Sequence, residues 1–299
     1  MSHKILFFGS GPVAAESLRL LAQDFEVEAV VTKAAPAHHK GEVPVLELAQ
    51  KLKLPVLTVN TGEELHKLFT EQKPSSSELA VLIDFGIMVP KSVIDYFPRG
   101  IVNSHFSLLP QWRGADPITY AVLSGQAITG VSLMLLVEAM DEGPILIQGE
   151  YELSPTITTP DLTNNLVHLS HMLLKTTLPD YLTGLVQAMP QDTDEKPVTY
   201  SKKLSKDDGV LDWSKPADQL EREVRAYAGW PRSRTEVNGI PIIVTKAHVA
   251  SGKDKPGKLW KEGKEFGFYT GNGIFVIDKL IPAGKKEMAA AAFLAGYKI

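Results

Sequence analysis

The first 85 residues alternate short apolar runs with amphipathic segments, and this alternation constrains the fold more than any other feature of the sequence. The apolar run over 4–8 ends at Gly9-Ser10-Gly11-Pro12, and helical spacing of apolar residues begins at Val13. The pattern then predicts strands at 26–32, 55–58 and 79–85 and helices at 43–53 and 61–72. Strands that alternate with helices form a parallel sheet with helices on both faces. We therefore predict an α/β, Rossmann-like N-terminal domain.

Further elements follow, and then a polar segment. The pattern predicts, in order, a strand near 100–104, a helix at 116–125, strands near 128–137 and 144–152, and a helix over 158–187. From Met189 to Asp208 no hydrophobic period survives, and we predict that this segment is an interdomain linker. The sequence thus predicts a catalytic domain over residues 1–188 and a linker over 189–208.

Residues 209–299 have a different pattern. One helix is predicted at 215–227, and short β-like runs punctuated by Gly and Lys are predicted at 234–237, 241–245, 257–259, 267–269 and 273–280. This pattern predicts a small, OB-like β-barrel domain. Residues 201–299 contain 18 Lys and Arg against 12 Asp and Glu, although the whole chain has a net charge of −4. A domain with this balance can contact phosphate groups.

The composition excludes several classes of protein. Because the sequence contains no cysteine, it excludes disulfides, cysteine-ligated zinc and thiol nucleophiles. No apolar run approaches the roughly 18 to 20 residues that span a bilayer. His168 and His171 are three residues apart on a predicted helix, but no further ligand cluster accompanies them, so no metal is expected. We expect a cytoplasmic monomer without a membrane partner.

The turn after the first strand formally matches the dinucleotide fingerprint G-x-G-x-x-A at Gly9, Gly11 and Ala14. A dinucleotide site also needs an acidic residue at the end of the second strand to bind the ribose. Here that strand ends at Thr32-Lys33. The glycines are better explained by a tight turn, with Pro12 at the first position of the helix.

The densest polar stretch of the chain follows the strand predicted near 100–104. Asn103 and His105 have i, i+2 spacing, which directs both side chains to one face of an extended chain. At the carboxyl edge of a parallel sheet, such a face opens on the crevice where ligands bind. Asp141, between two predicted strands, is a candidate third member, and a turn carboxylate is the alternative interpretation.

Several motifs, taken together, carry a family resemblance. They are, in order, Asn103-x-His105, Ser107-Leu108-Leu109-Pro110, Trp112-Arg113-Gly114-Ala115, Thr129-Gly130-Val131 and Asp141-x-Gly143. This ordered set resembles the signature of the 10-formyltetrahydrofolate-dependent formyltransferases. Within that family the chain is most similar to the members that formylate methionyl-tRNA. The similarity continues through the C-terminal motifs, at 199–203, 209–217, 229–231 and 284–288.

The resemblance implies a function and three sets of site residues. It implies transfer of a formyl group from 10-formyltetrahydrofolate to the α-amino group of methionine on the initiator tRNA, for translation initiation. The implied catalytic residues are Asn103, His105 and Asp141. The implied folate-binding residues are Phe85, Gly86, Ile87, Ser107, Leu108, Leu109 and Pro110. The implied tRNA-binding residues are Lys40, Arg113, Lys202, Lys203 and Lys206.

The chemistry of the three catalytic candidates agrees with this function. Attack of a neutral amine on a formyl carbon places negative charge on the formyl oxygen, which the Asn103 amide and a protonated His105 could stabilise. Asp141 could keep His105 charged and take part in removal of the proton from the attacking nitrogen.

The chain departs from the family pattern at two places. Family members usually carry a basic insertion after the second strand that contacts the tRNA acceptor stem, whereas the segment 33–42 is short and weakly basic here. Asp84 stands where the family usually has a small residue beside the pterin pocket.

Other functions remain as alternatives. A related formyltransferase could act on an amino-sugar nucleotide, and a formyl-folate hydrolase would use water as the acceptor. Trp112 and the C-terminal motifs favour tRNA over both. A dinucleotide-dependent oxidoreductase is disfavoured by the missing acid of the second strand. A non-catalytic tRNA- or folate-binding protein is disfavoured by the intact catalytic candidates.

Overall fold

The protein is described from a computed structural model. The structure describes residues 3–35, 43–194 and 197–297. The chain forms two compact units, the first made of residues 1–117, 128–151 and 163–200, and the second of residues 118–127, 152–162 and 201–299. The second unit therefore takes in two short segments from the first part of the chain. The division at 1–188, 189–208 and 209–299 stays a prediction.

The first 200 residues alternate strands and helices much as the sequence pattern indicates. The elements are β1 (Lys4–Phe8), α1 (Pro12–Leu21), β2 (Glu26–Lys33), α2 (Pro44–Lys51), β3 (Val56–Val59), α3 (Gly62–Lys67), β4 (Ala80–Leu82), α4 (Lys91–Ile94), β5 (Ile101–His105), β6 (Arg113–Gly114), α5 (Pro117–Ser124), β7 (Ile128–Leu135), β8 (Ile145–Glu152), α6 (Thr159–Thr183) and β9 (Tyr200–Ser201). A short π-helical turn (Leu68–Gln72) extends α3.

Seven of these strands form one sheet in the order β3-β2-β1-β4-β5-β7-β8. Strands β1 to β5 pair in parallel, whereas β5 pairs antiparallel with β7. In that register Asn103 lies opposite Met134 and His105 lies opposite Ser132. The predicted α/β, Rossmann-like domain is confirmed, with an antiparallel edge added to the parallel sheet.

Aromatic side chains fill the core on one side of this sheet. The Phe8 ring lies at the centre of the cluster, with ring centroids 5.9 Å from Phe69, 5.4 Å from Phe85 and 6.2 Å from Phe97. All four rings are buried. Offset and edge-to-face contacts of this kind add stability beyond the burial of apolar area, because the edges and faces of the rings carry opposite partial charge.

The elements of the C-terminal part form an antiparallel sheet with two helices. They are a 3₁₀ turn (Lys206–Gly209), α7 (Ala217–Ala226), β10 (Ser233–Val237), β11 (Ile240–Ala250), β12 (Leu259–Glu262), β13 (Glu265–Tyr269), β14 (Ile274–Pro282), β15 (Met288–Ala289) and α8 (Ala290–Gly296). The sheet order is β10-β11-β14-β13-β12, and β15 pairs with β14. This confirms the predicted small β domain and is consistent with a barrel.

The core of the C-terminal unit is built from both helices and the sheet. Leu220 and Val224 of α7 and Phe293 of α8 are buried together with Phe266 and Phe275 of the sheet. Leu220 and Val224 are four residues apart, so they lie on the same face of α7. Among the described residues, no helix is long and apolar enough to cross a membrane.

A single carboxylate organises the loop that precedes β4. The Glu28 side chain, on β2, accepts hydrogen bonds from the backbone N–H groups of Ser76 and Ser77 at 3.0–3.1 Å and from the hydroxyls of Ser75, Ser76 and Ser77 at 2.6–2.8 Å. Partial burial disfavours the charged form, but the hydrogen bonds from the three serines outweigh it and lower the pKa of Glu28 to about 2.

We expect this carboxylate to make stability depend on acid pH. The folded-state pKa of about 2 lies below the ordinary value of 4.5, so the stabilisation is complete above pH 4.5 and is lost as the pH falls towards 2. Glu28→Gln should lower the free energy of unfolding by on the order of 1 to 2 kcal/mol at pH 7, because solvent screens part of the interaction.

Thermal denaturation of both proteins from pH 7 to pH 3 measures the effect. The difference in Tm between wild type and Glu28→Gln should shrink as the pH falls. Glu71→Gln, which changes an exposed carboxylate, is the matched control. A Tm difference for Glu28→Gln that does not vary with pH would contradict the interpretation.

Candidate active site

Strand β5 presents the two polar side chains predicted to lie on one face. Asn103 and His105 are buried, with 7% and 6% of their surface exposed. Ser104, between them, has the opposite orientation, and its hydroxyl lies 2.6 Å from the Ser170 hydroxyl on α6. The alternation along the strand therefore separates Asn103 and His105 from the face that is covered by α6.

The His105 ring has a defined orientation. Its Nε2 lies 2.9 Å from the carbonyl oxygen of Trp112. Because a carbonyl only accepts hydrogen bonds, Nε2 carries a proton, and Nδ1 is the nitrogen that faces Asp141. The distance from Nδ1 to Asp141 Oδ2 is 3.7 Å, which is longer than a hydrogen bond. A polar group of a substrate could therefore approach Nδ1 and Oδ2 together.

Asp141 lies in the loop between β7 and β8, in a left-handed backbone conformation with φ of 53°. Its Oδ2 accepts a hydrogen bond of 2.7 Å from the backbone N–H of Gly114, so this carboxylate bonds a different loop. Gly143 lets the loop approach β7, because a Cβ atom at this position would lie 1.7 Å from the carbonyl oxygen of Leu135. The loop is thus folded back towards the end of β5.

A glutamine from the predicted linker joins these loops. The Gln191 Nε2 donates to the carbonyl oxygens of Asp141 at 2.7 Å and Gly143 at 2.9 Å. Its Oε1 accepts from the Arg113 guanidinium at 2.8 Å and 3.3 Å. Arg113 is 6% exposed and also forms an ion pair of 2.9 Å with Glu142.

The Ser107–Pro110 turn is fixed by Ser132 and Gln148. The Ser132 hydroxyl donates to the carbonyl oxygen of Ser107 at 2.6 Å and accepts from the backbone N–H of Leu109 at 3.0 Å. The Gln148 side chain donates to the Leu109 carbonyl at 2.9 Å and to the Ser132 hydroxyl at 2.8 Å. Leu109 and Pro110 are buried, whereas Leu108 is half-buried.

The second predicted folate segment follows β4. Phe85 is buried in the aromatic cluster, so its side chain anchors this segment to the core. Gly86 is exposed and has φ of 65°, and Ile87 is half-buried. The backbone is irregular here, and the N–H and C=O groups of Gly86 and Ile87 lie outside the sheet ladder.

Asp84 lies beside the first turn of α1. Its Oδ2 would be 2.0 Å from a Cβ atom built at Gly11, and its own backbone is left-handed, with φ of 48°. The residue reaches solvent, yet surrounding protein desolvates the carboxylate and raises its pKa to about 6, with a further rise from Asp116 and an opposing effect from Lys33.

The predicted tRNA-binding residues lie in different environments. Lys40 lies outside the described residues. The Arg113 guanidinium is engaged by Gln191 and Glu142, as described above. Lys202, Lys203 and Lys206 are exposed. Within the described ranges, no group of three or more His, Asp or Glu side chains is placed to hold a metal ion.

The sequence reasoning missed the residues that position the site. Ser132 follows the Thr129-Gly130-Val131 motif directly, so its proximity to a motif was a usable signal. Thr199, whose hydroxyl accepts from the Trp112 N–H at 2.9 Å, is the first residue of the motif at 199–203 and carried a similar signal. Gln148 and Gln191 carried none. Their hydrogen bonds join residues 39 and 50 positions apart, and a linear pattern does not record such contacts.

The antiparallel edge of the sheet and the polar side chains at the end of β5 define a candidate active site. The sequence matches the family described as formyl transferase over residues 3–178 and the C-terminal domain of formyl transferases over residues 203–298. The chain therefore belongs to the formyl transferase family, which confirms the predicted resemblance.

Relatives of known name match the chain over its length. The methionyl-tRNA formyltransferase of Roseiflexus castenholzii is 35% identical, and the alignment covers 100% of this chain and 97% of the relative. That of Chloroflexus aurantiacus is 36% identical, with 98% of this chain and 96% of the relative covered. The solved structure of WlaRD, described as a sugar 3N-formyl transferase, aligns with a TM-score of 0.70 at 17% identity over 96% of this chain and 100% of its own, which supports the fold.

The raised pKa of Asp84 predicts a stability effect of opposite sign to that of Glu28. The folded-state pKa of about 6 exceeds the ordinary value of 3.8, so the folded state is favoured at low pH and loses stability as the pH rises from about 4 to 6. Asp84→Asn removes the charge, and asparagine tolerates the left-handed backbone.

Thermal denaturation measures this effect as well. Asp84→Asn should have a higher Tm than wild type at pH 7, and the difference should disappear near pH 4. Asp194→Asn, which changes an exposed carboxylate, should show no such trend. An Asp84→Asn variant that is less stable than wild type at pH 7 would contradict the interpretation.

Proposed function

We propose that this protein transfers the formyl group of 10-formyltetrahydrofolate to the α-amino group of methionine carried on the initiator tRNA. The observation that carries the proposal is that Asn103 and His105 alternate along the end of β5, with Asp141 3.7 Å from His105, in a member of the formyl transferase family. The full-length similarity to methionyl-tRNA formyltransferases supports the acceptor.

Asn103 and His105 stabilise the negative charge that develops on the formyl oxygen. Attack of the amine on the formyl carbon forms a C–N bond and moves charge onto the formyl oxygen. The Asn103 amide and a protonated His105 donate hydrogen bonds to this oxygen. Because both side chains are buried, water competes weakly for these donors.

Asp141 acts as the proton acceptor. Its carboxylate is anchored by Gly114 and lies 3.7 Å from His105 Nδ1, so it can accept a proton from the attacking nitrogen while it faces the imidazole. The intermediate then collapses, and the bond between the formyl carbon and the tetrahydrofolate nitrogen breaks. The proton lost by the amine balances the proton gained by that nitrogen. None of these steps requires a metal.

Two loops provide the folate site in this proposal. The backbone groups of Gly86 and Ile87 bind the pterin edge, and the Ser107–Pro110 turn forms the adjoining wall. The network of Ser132 and Gln148 keeps that turn rigid. A rigid wall suits a flat, partly apolar heterocycle, because little side-chain entropy is lost on binding.

Formation of formyl-methionyl-tRNA tests both the function and the catalytic residues. The wild-type protein, incubated with 10-formyltetrahydrofolate and charged initiator tRNA, should form it. Asn103→Ala and His105→Ala should each lower kcat by about 10²- to 10³-fold with nearly unchanged folate affinity, because their interactions strengthen only in the transition state.

Asp141→Asn keeps the shape of the side chain but cannot accept the proton, so it should be similarly severe and should alter the pH profile of kcat. Activity on an amino-sugar nucleotide but not on tRNA would show that the acceptor is the sugar nucleotide. Release of formate without an acceptor would indicate a hydrolase.

The C-terminal domain provides the contact with tRNA. Lys202, Lys203 and Lys206 are exposed and lie within five residues of one another, in a part of the chain that is rich in basic residues. Contacts of lysine with phosphate release counterions, so affinity becomes dependent on salt. Because the segment 33–42 is short, we assign a larger share of the binding to this domain. The cytoplasmic location and the monomeric state remain parts of this proposal.

We expect the affinity for tRNA to fall steeply as salt rises. Changing Lys202, Lys203 and Lys206 together to Gln should weaken binding and reduce the slope of log K against log salt by about 2 to 3 units, nearly one per phosphate contact. A triple variant at the exposed residues Lys51, Lys53 and Lys73 has the same change of charge and should leave the slope unaltered. Salt-independent binding by the wild type would contradict an electrostatic grip.

A further inference from the structure

We infer that Gln191 is a positioning residue that holds the loop of Asp141 in its working place. The inference rests on the proposed function, since it takes Asp141 as the residue that accepts the proton. It also assigns a part of the predicted linker to the active site. Gln191 follows the end of α6 by eight residues, and it is half-buried within an irregular segment that is mostly exposed.

The donor half of the Gln191 amide holds the loop itself. The two hydrogens of Nε2 are directed at the carbonyl oxygens of Asp141 and Gly143, at 2.7 Å and 2.9 Å. These carbonyls belong to the residues on either side of Glu142, so one amide group fixes the peptide groups 141–142 and 143–144. Asp141 has a left-handed backbone, which costs a residue with a side chain about 1 to 2 kcal/mol and needs support of this kind.

The acceptor half joins this loop to its neighbour. Oε1 of Gln191 accepts from Arg113, and the same guanidinium pairs with Glu142 at 2.9 Å. The residue after Arg113 is Gly114, whose N–H donates to the Asp141 carboxylate at 2.7 Å. Asp141 is therefore anchored twice, at its backbone by Gln191 and at its side chain by Gly114.

Thr199, in the same segment, fixes the orientation of His105. Its carbonyl accepts from the Arg113 N–H at 2.9 Å, and its hydroxyl accepts from the Trp112 N–H at 2.9 Å. The carbonyl of Trp112 in turn accepts from Nε2 of His105 at 2.9 Å. Gln191 and Thr199 thus hold, through two neighbouring loops, the two groups that face each other across 3.7 Å.

A positioning role for Gln191 predicts a different kinetic effect from a purely structural role. A misplacement of about 1 Å in a reacting group can cost 10²-fold in rate. We therefore expect loss of the Gln191 donor to lower kcat by about 10- to 100-fold while KM for 10-formyltetrahydrofolate changes little, because the two folate loops are held by other residues.

Two substitutions test the inference. Gln191→Ala removes both halves of the amide. Gln191→Glu keeps an acceptor for Arg113 but replaces the donor by an oxygen that repels the carbonyls of Asp141 and Gly143. If the Nε2 donor of Gln191 positions the loop, both variants should have a lower kcat than wild type. Gln187→Ala, an exposed glutamine four residues earlier, is the matched control and should match wild type.

A second readout does not require activity. The Gly114 N–H is bonded to the Asp141 carboxylate, so its hydrogen exchange should be faster in Gln191→Glu than in wild type and unchanged in Gln187→Ala. Tm values show whether a variant is folded. If Gln191→Ala or Gln191→Glu is unfolded, the test rests on the other variant. A Gln191→Glu variant with wild-type kcat and wild-type exchange at Gly114 would overturn the inference.

The two readouts distinguish failure of the inference from failure of the proposed function. If Asp141→Asn is inactive but both Gln191 variants have wild-type kcat, the positioning role is wrong and the proposed function stands. If Asp141→Asn retains full activity while exchange at Gly114 rises in Gln191→Glu, Gln191 holds the loop but Asp141 is not the proton acceptor.

Discussion

The antiparallel pairing of β5 with β7 is the constraint on which the candidate site depends. The parallel strands deliver Asn103 and His105 to the end of β5, as in other sheets of this kind. The reversed neighbour places Ser132 opposite His105, where its hydroxyl fixes the Ser107–Pro110 turn. It also places Leu135 against Gly143, which folds the loop of Asp141 back towards His105. One register thus aligns the strand of Asn103 and His105, the Ser107–Pro110 turn and the loop of Asp141.

Burial makes this alignment necessary for stability as well as for chemistry. A buried polar group without a hydrogen-bond partner costs about 1 to 3 kcal/mol, and His105 is buried. The Trp112 carbonyl satisfies Nε2, and Trp112 is itself held by Thr199. Asp141 obtains its partner from Gly114. The segment over 112–114 therefore supports both the fold and the candidate site.

The sequence predicted the fold because it is recorded in local patterns, whereas the catalytic roles of Asn103, His105 and Asp141 stay a prediction. Strand–helix alternation gave the bounds of β2 and α7 to within about two residues. The Asn-x-His spacing brought two side chains to one face. The role of Gln191 could not be predicted, since it depends on hydrogen bonds to residues 48 and 50 positions away inside a segment with no hydrophobic period. For the same reason the motif that contains Arg113 could not predict its hydrogen bonds to Gln191.

Asp84 explains physically why a dinucleotide-like turn need not bind a dinucleotide. The N-terminus of a helix attracts an anion, and in dinucleotide-binding folds that anion is the pyrophosphate. Here Gly11 is the N-cap of α1, and the Asp84 carboxylate lies against it. The chain's own carboxylate thus lies beside this turn, and its ionised form would repel a phosphate. Its raised pKa indicates that burial there opposes the negative charge. The proposed folate and catalytic residues accordingly lie elsewhere, in the loops around β4 and β5.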